Sequence, residues 1–195
     1  MSILILGGHA KGHALFVPKG DVTKPTTVML RRKFFDAHQD CTDMIFLDLC
    51  AGTGAMALEA ASRGSREVIC VEKNKSPAQM IKKNIKLITQ KIPYARIDIH
   101  VSDAASYLAK YLNFISHWDE EKQEAVNIFF DPPYEDKKLY DATLEIYAKS
   151  KFKGTFWIES DRQKGILEDD VKKHGLHFSK VYKQGTSFIA KVEIS

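Results

Sequence analysis

Hydrophobic and polar positions change rhythm along this chain. From residue 44 onward, short runs rich in β-branched and aromatic residues alternate with longer segments whose apolar residues return every three or four positions. That alternation predicts an α/β fold, a mostly parallel sheet with helices on both faces. The first run, residues 44–49 (Met-Ile-Phe-Leu-Asp-Leu), is nearly all apolar, as a strand buried on both faces should be. A helix is expected over 55–63, closed by Gly64, and a second strand over 68–72. The next helix reads as starting with Ser76 at the N-cap and Pro77 at the first helical position. Its residues Ala78, Ile81, Ile85 and Ile88 fall on one face. A strand over 96–101, a helix over 104–112 and a polar surface stretch over 116–124 follow, then a strand over 126–130 that points at Asp131. The last expected pieces are a helix near 139–149, a strand over 155–158, a helix near 165–174 and two strands around 177–182 and 187–193.

Residues 1–38 have another texture. Gly7, Gly8, Gly12, Pro18, Gly20 and Pro25 separate short apolar pieces, which predicts a small β-hairpin followed by a short helix near 28–37. The expected organisation is therefore an N-terminal extension, residues 1–38, ahead of a single α/β domain, residues 39–195.

With 195 residues, 44% hydrophobic and 28% charged, the chain can build one sizeable core, and disorder is excluded. No apolar run approaches the roughly 18–20 residues of a membrane helix, and the opening residues lack a basic segment of the secretory kind. The three cysteines (Cys41, Cys50, Cys70) are odd in number, with no Cys-x-x-Cys pair and no histidine at ligand spacing. The expectation is a cytoplasmic protein with no disulfide framework, no metal and no membrane partner. The net charge of +4 is unevenly placed. Residues 1–38 carry six basic and two acidic side chains, and the remainder carries 23 of each. A basic arm on a neutral body fits a polyanionic partner; an ordinary solvated surface would carry the same charge.

Candidate chemistry begins where the first strand ends. In residues 48–55 (Asp-Leu-Cys-Ala-Gly-Thr-Gly-Ala), Gly52 and Gly54 allow a tight turn and close approach of a ligand to the backbone. Glu72 ends the next strand 20 residues after Gly52, where an acid can accept from ribose hydroxyls. The same glycines satisfy a dinucleotide fingerprint, and a turn that binds nothing would look alike. Asp48 separates these readings. A carboxylate in a buried strand is costly without a partner; a sulfonium or ammonium group lowers that cost, and a pyrophosphate raises it. S-adenosylmethionine is thus favoured over a nicotinamide dinucleotide. After the third strand, Asp103 with Ala104 is a further candidate: the carboxylate can accept an adenine amino group, cap the following helix, or do both.

Asp131-Pro132-Pro133-Tyr134 is the most informative segment. An exocyclic amine on a planar base is a poor nucleophile, because its lone pair is delocalised into the ring. Acceptors on both N–H bonds turn that lone pair out of conjugation. Asp131 can take one N–H and the Pro132 carbonyl the other, its direction restricted by Pro133. Tyr134 offers a face on which an unpaired or flipped base can stack. A proline-rich turn with a capping Asp and a half-buried Tyr is the alternative for the tetrapeptide alone.

Residues 48–64 and 131–134 together resemble the bacterial 16S rRNA guanine-N2 methyltransferase family of the RsmD type. Gly7-Gly8, Lys11-Gly12, Lys24-Pro25-Thr26, Arg31 and Phe35 extend the resemblance into the arm. It implies a Rossmann-like class I methyltransferase fold with S-adenosylmethionine held by Asp48, Gly52, Gly54, Glu72 and Asp103. It also implies a guanine amine presented to residues 131–134, in 16S rRNA or an assembling 30S subunit. Lys11, Lys24, Arg31 and Arg32 are the expected phosphate contacts. His9, Lys24, Val28 and Cys50 depart from the family's usual residues. A DNA adenine-N6 methyltransferase needs the same amine chemistry, although the chain has no room for a separate target-recognition domain. A non-catalytic rRNA-binding assembly factor is the reading from a different class. A dinucleotide-dependent oxidoreductase ranks last, with no hydride-transfer arrangement beside the loop. A monomer is sufficient for this chemistry.

Overall fold

A computed structural model describes residues 3–17 and 25–195, the side chains of residues 25–27 excepted. The chain opens with a two-stranded antiparallel hairpin, β1 (Ile3–Leu4) and β2 (Ala14–Leu15), and the helix α1 (Pro25–Asp36). There follow β3 (Ile45–Leu49), α2 (Ala55–Ser62), β4 (Glu67–Glu72), α3 (Lys75–Ile88), β5 (Arg96–Val101), α4 (Ala104–Ile115), α5 (Glu120–Glu124) and β6 (Val126–Phe130). The last elements are α6 (Lys137–Lys149), β7 (Thr155–Asp161), α7 (Glu168–Lys172), β8 (Leu176–Gln184) and β9 (Ser187–Ile194). The seven-stranded sheet has the order β5-β4-β3-β6-β7-β9-β8. Strands β3 to β7 are parallel, and β9 and β8 are added antiparallel. This is the mostly parallel Rossmann-like methyltransferase fold expected from the alternation of runs, with the small hairpin at its N-terminus.

The two-residue period of the strands divides the core in two. Ile45, Leu47 and Leu49 of β3, with Val126, Ile128 and Phe130 of β6, pack under Leu108 of α4 and Leu144 of α6. Phe46, Phe129 and Trp157 belong to the opposite face, under Leu30 and Phe34 of α1, Leu58 of α2 and Ile81 of α3. Thus α1 shares a core with the sheet, and packing does not break at residue 38.

The arm is fastened to α2. Leu6 N–H donates to Glu59 Oε2 at 2.7 Å and Ala10 N–H to Ser62 Oγ at 2.9 Å, while Ser62 Oγ donates to the Gly7 carbonyl at 2.6 Å. A Cβ on Gly8, which has a φ of 72°, would run into the Ser62 carbonyl.

Three local expectations need correction. Helix α3 starts at Lys75 with Asn74 as its N-cap, and Ser76 and Pro77 lie inside its first turn. The Asn74 carbonyl accepts from Ala78 N–H at 3.1 Å, and proline is tolerated here because first-turn N–H groups have no intrahelical partner. The polar stretch 116–124 holds the short helix α5, whose N-cap Asp119 accepts from Lys122 N–H at 2.8 Å. Strand β7 continues three residues past Ile158, through Glu159, Ser160 and Asp161, because β9 supplies ladder partners for those polar residues.

Candidate active site

In the strand order, β4 lies on one side of β3 and β6 on the other, so the chain reverses direction across the sheet between them. A crevice opens at the carboxyl ends of strands at such a point. The register aligns Leu49 of β3 with Val71 of β4 and Phe130 of β6. The residues that follow are therefore brought together although they are far apart in the chain. Asp131 N–H donates to the Leu49 carbonyl at 3.3 Å, and Ala51 N–H to the Val71 carbonyl at 2.9 Å.

A cleft of about 1040 Å³ occupies this position. It is bordered by Asp48, Gly52, Glu72, Asp103 and Ala104, and also by Asp131, Pro132, Pro133 and Tyr134. Gly54 lies just behind, at the start of α2. The two sequence segments singled out above thus share one cavity, large enough for a nucleoside and a second planar group.

The glycine loop is shaped by backbone that L side chains rarely adopt. Cys50, Gly52 and Gly54 have φ values of 67°, 55° and 77°. A Cβ on Gly54 would stand 3.2 Å from Ile81 Cγ2, so both space and backbone favour glycine. A Cβ on Gly52 would meet only the Cys50 carbonyl, at 3.9 Å, and the room it leaves is part of the cleft. Glu72 holds the loop: Oε2 accepts from Gly52 N–H at 3.0 Å and Oε1 from Asn74 N–H at 2.8 Å. Asp48 is buried and accepts from Ala57 N–H, at the start of α2, at 3.2 Å. Asp103 caps α4, accepting from Ser106 N–H at 2.9 Å, and still borders the cleft.

Beyond β6, the Pro133 carbonyl accepts from Asp136 N–H at 2.9 Å and Asp136 caps α6. The Pro132 carbonyl takes no hydrogen bond among the described residues. The Tyr134 hydroxyl donates to Glu159 Oε1 at 2.9 Å, which fixes the ring of this half-buried residue.

Electrostatically the cleft is a concentration of acid. Burial pushes Asp131 up to about 7. Burial, reinforced by the neighbouring Asp131 charge, raises Asp48 and Glu159 well above the usual carboxylate range. For Asp48 the Ala57 N–H opposes the rise, and for Glu159 the Tyr134 hydroxyl does. Among the described residues no group of three or more His, Cys, Asp or Glu is arranged to hold a metal ion. Crowded carboxylates can host a cationic organic group. They oppose a pyrophosphate. Asp48, Glu72 and Asp103 are the carboxylates of the cleft that could hold a cationic nucleoside cofactor.

The expected phosphate contacts separate. Lys11 and Arg32 are exposed, and Lys24 lies outside the described residues. Arg31 is corrected: it is 3% exposed, its Nη2 donates to the Leu4 carbonyl at 2.7 Å, and it borders the cleft. It ties α1 to β1, so it does not stand on the open surface with Lys11 and Arg32. Sequence reasoning misses two residues. Glu159 falls just past the expected end of its strand, although a carboxylate after an apolar run, the signal that marks Asp48, is present there too. Asn84 is fully buried in α3 and joins the arm to the glycine loop. Its Nδ2 donates to the Phe16 carbonyl at 3.1 Å and the Thr53 carbonyl at 3.0 Å, and its Oδ1 accepts from Phe16 N–H at 2.7 Å.

Residues 3–190 match the family model described as Conserved hypothetical protein 95. The chain belongs to this family, the RsmD family. It is 30% identical over 169 residues to the ribosomal RNA small subunit methyltransferase D of Escherichia coli (strain K12), covering 84% of this chain and 77% of that one. A solved structure of a hypothetical protein from Thermus thermophilus superposes with a TM-score of 0.73 at 23% identity, over 98% of this chain and 99% of the other. Another, SMU.776, a methyltransferase complexed with SAH, superposes with a TM-score of 0.68 at 13% identity, over 99% of this chain and 56% of that one. At these identities the two structures speak to the fold.

Proposed function

We propose that this RsmD-family member transfers a methyl group from S-adenosylmethionine to the exocyclic N2 amine of a guanine in 16S rRNA. The observation that carries this reading is the meeting of the Asp131 carboxylate and the Pro132 carbonyl, which takes no hydrogen bond among the described residues, with the acid-lined glycine loop in one cleft. The E. coli relative's name supports rRNA as the substrate class.

When bound, S-adenosylmethionine supplies a methyl group on a positively charged sulfur; the carbon–sulfur bond breaks with its electron pair staying on sulfur as the nitrogen–carbon bond forms. Asp48 offsets that positive charge, and Glu72 and Asp103 accept from the nucleoside. Asp131 and the Pro132 carbonyl each accept one N–H of the amine, so its lone pair leaves ring conjugation. Tyr134, steadied by Glu159, presents its ring to the base. The nitrogen sheds one proton after methylation, and a carboxylate held near 7 is well placed to receive it. Lys11 and Arg32 supply salt-dependent contacts to RNA phosphates.

Transfer of tritiated methyl groups to 16S rRNA, assembling 30S particles and duplex DNA in parallel tests the reading, with N2-methylguanine expected in one of the first two. Label in DNA adenine alone would overturn it. Asp131→Ala should leave cofactor binding within a few-fold and reduce turnover by about 100-fold or more; equal transfer by variant and parent would remove Asp131 from the chemistry.

A further inference from the structure

The register that sets Asp131 beside the glycine loop sets a second carboxylate beside Asp131. Phe130 of β6 pairs with Ile158 of β7, so the next residues along the two parallel strands are Asp131 and Glu159. Glu159 is 3% exposed and borders the cleft with Asp131, Pro132 and Tyr134. Its Oε1 accepts from the Tyr134 hydroxyl at 2.9 Å, and its Oε2 takes no hydrogen bond among the described residues. Glu159 Oε2 is not among the buried polar atoms left without a partner, so it is open to the cleft and available to a ligand there. Steadying Tyr134 does not account for a carboxylate here, since a neutral amide would do the same.

Guanine supplies the missing partner. Beside its N2 amine it carries a ring N1–H, whereas adenine offers a lone pair at N1. We propose that Glu159 is the specificity-determining acceptor for the guanine N1–H, adjoining the amine held by Asp131 and Pro132. The inference rests on the guanine-N2 reading above. A carboxylate facing adenine N1 sets lone pair against lone pair, so one oxygen both attracts guanine and repels adenine. Without ligand, burial and the Asp131 charge favour a protonated Glu159, which would donate to an adenine N1, so the selection belongs to the ionised form. The incoming N1–H and a sulfonium nearby reverse that preference and leave the oxygen free to accept.

The test replaces the target base. The parent enzyme first locates its N2-methylguanine in 16S rRNA within 30S particles. Particles are then reconstituted with 16S rRNA carrying guanosine or 2-aminopurine riboside at that position. 2-Aminopurine keeps the amine but has an acceptor at N1. The parent should prefer guanosine by at least about 100-fold in kcat/KM, since sites built around a hydrogen bond reject analogues lacking it by large factors. Glu159→Gln keeps the volume and an oxygen for Tyr134 but places an N–H2 at the second position. Its ratio should collapse to near one through loss on guanosine, with its melting temperature at or above the parent's. Equal loss on both bases, with the ratio intact, would make Glu159 a purely structural residue and overturn the proposal. A parent that uses both bases equally overturns it without any variant. Absence of transfer to any guanine is a different failure, visible at the first step, and removes the guanine reading together with this inference.

Discussion

Replacing Asp131 with Asn should make the ligand-free protein more stable at alkaline pH while disabling it. The carboxyl ionises near its ordinary 3.8 in the unfolded chain, and burial raises it to about 7 in the cleft. Between those values the folded state keeps a proton that the unfolded state has released. Stability therefore falls as pH rises through this window and levels off above it. At full ionisation the difference corresponds to about 4 kcal/mol. Water reaching the half-buried carboxylate through the cleft reduces this to about 2 kcal/mol. Asn has no proton to lose. Thermal unfolding without ligand should show Asp131→Asn melting about 4–8 °C above the parent at pH 8, with less than half that gain at pH 5. Methyl transfer should meanwhile fall by about 100-fold or more. A melting difference equal at both pH values would show that the carboxylate carries no such penalty and would refute the electrostatic account of the cleft.

The same acid cluster predicts that S-adenosylmethionine binds more tightly as pH rises from 5 to 8, while its neutral, demethylated product gains much less. Calorimetry at both pH values in buffers of different ionisation enthalpy reads the proton release directly. Gly54→Ala places a Cβ at a φ of 77° and 3.2 Å from Ile81 Cγ2, and should cost about 1–2 kcal/mol in urea unfolding together with cofactor affinity. Arg32→Gln should leave melting unchanged, weaken rRNA binding and lower the slope of log affinity against log salt by about 0.7. Arg31→Gln should instead lower the melting temperature, since its guanidinium is buried against the Leu4 carbonyl.

What the chain discloses in advance is what a local pattern can encode. Strand β6 is expected over 126–130 and is found there, because four of its five residues are apolar and bury themselves in the sheet centre. Asp48 is readable because a lone acid interrupts an apolar run. Glu159 is not, because the apolar run of its strand stops at the first polar residue; only its pairing with Ile189 shows the strand continuing. Arg31 reads as surface charge in a basic segment, and nothing local reports that its guanidinium turns toward the Leu4 carbonyl, 27 residues away in the chain. The role of Asn84 depends on two partners, Phe16 and Thr53, on either side of the first strand of the main sheet.

Alternation along the strands explains why the cleft gathers acid without a net acidic chain. Asp48 lies two residues beyond Phe46, Asp131 two beyond Phe129, and Glu159 two beyond Trp157, and those three apolar residues share one face of the sheet. The period of two carries the three carboxylates onto the same side at the ends of neighbouring strands. A shift of one residue in any of them would turn that carboxylate toward α4 and α6. The basic surplus is confined in sequence to residues 1–38; of its described members Lys11, Arg32 and Lys33 are exposed, while Arg31 borders the cleft. Asn84 links the two segments: by bonding both Phe16 and Thr53 it couples the arm to the glycine loop at the cleft.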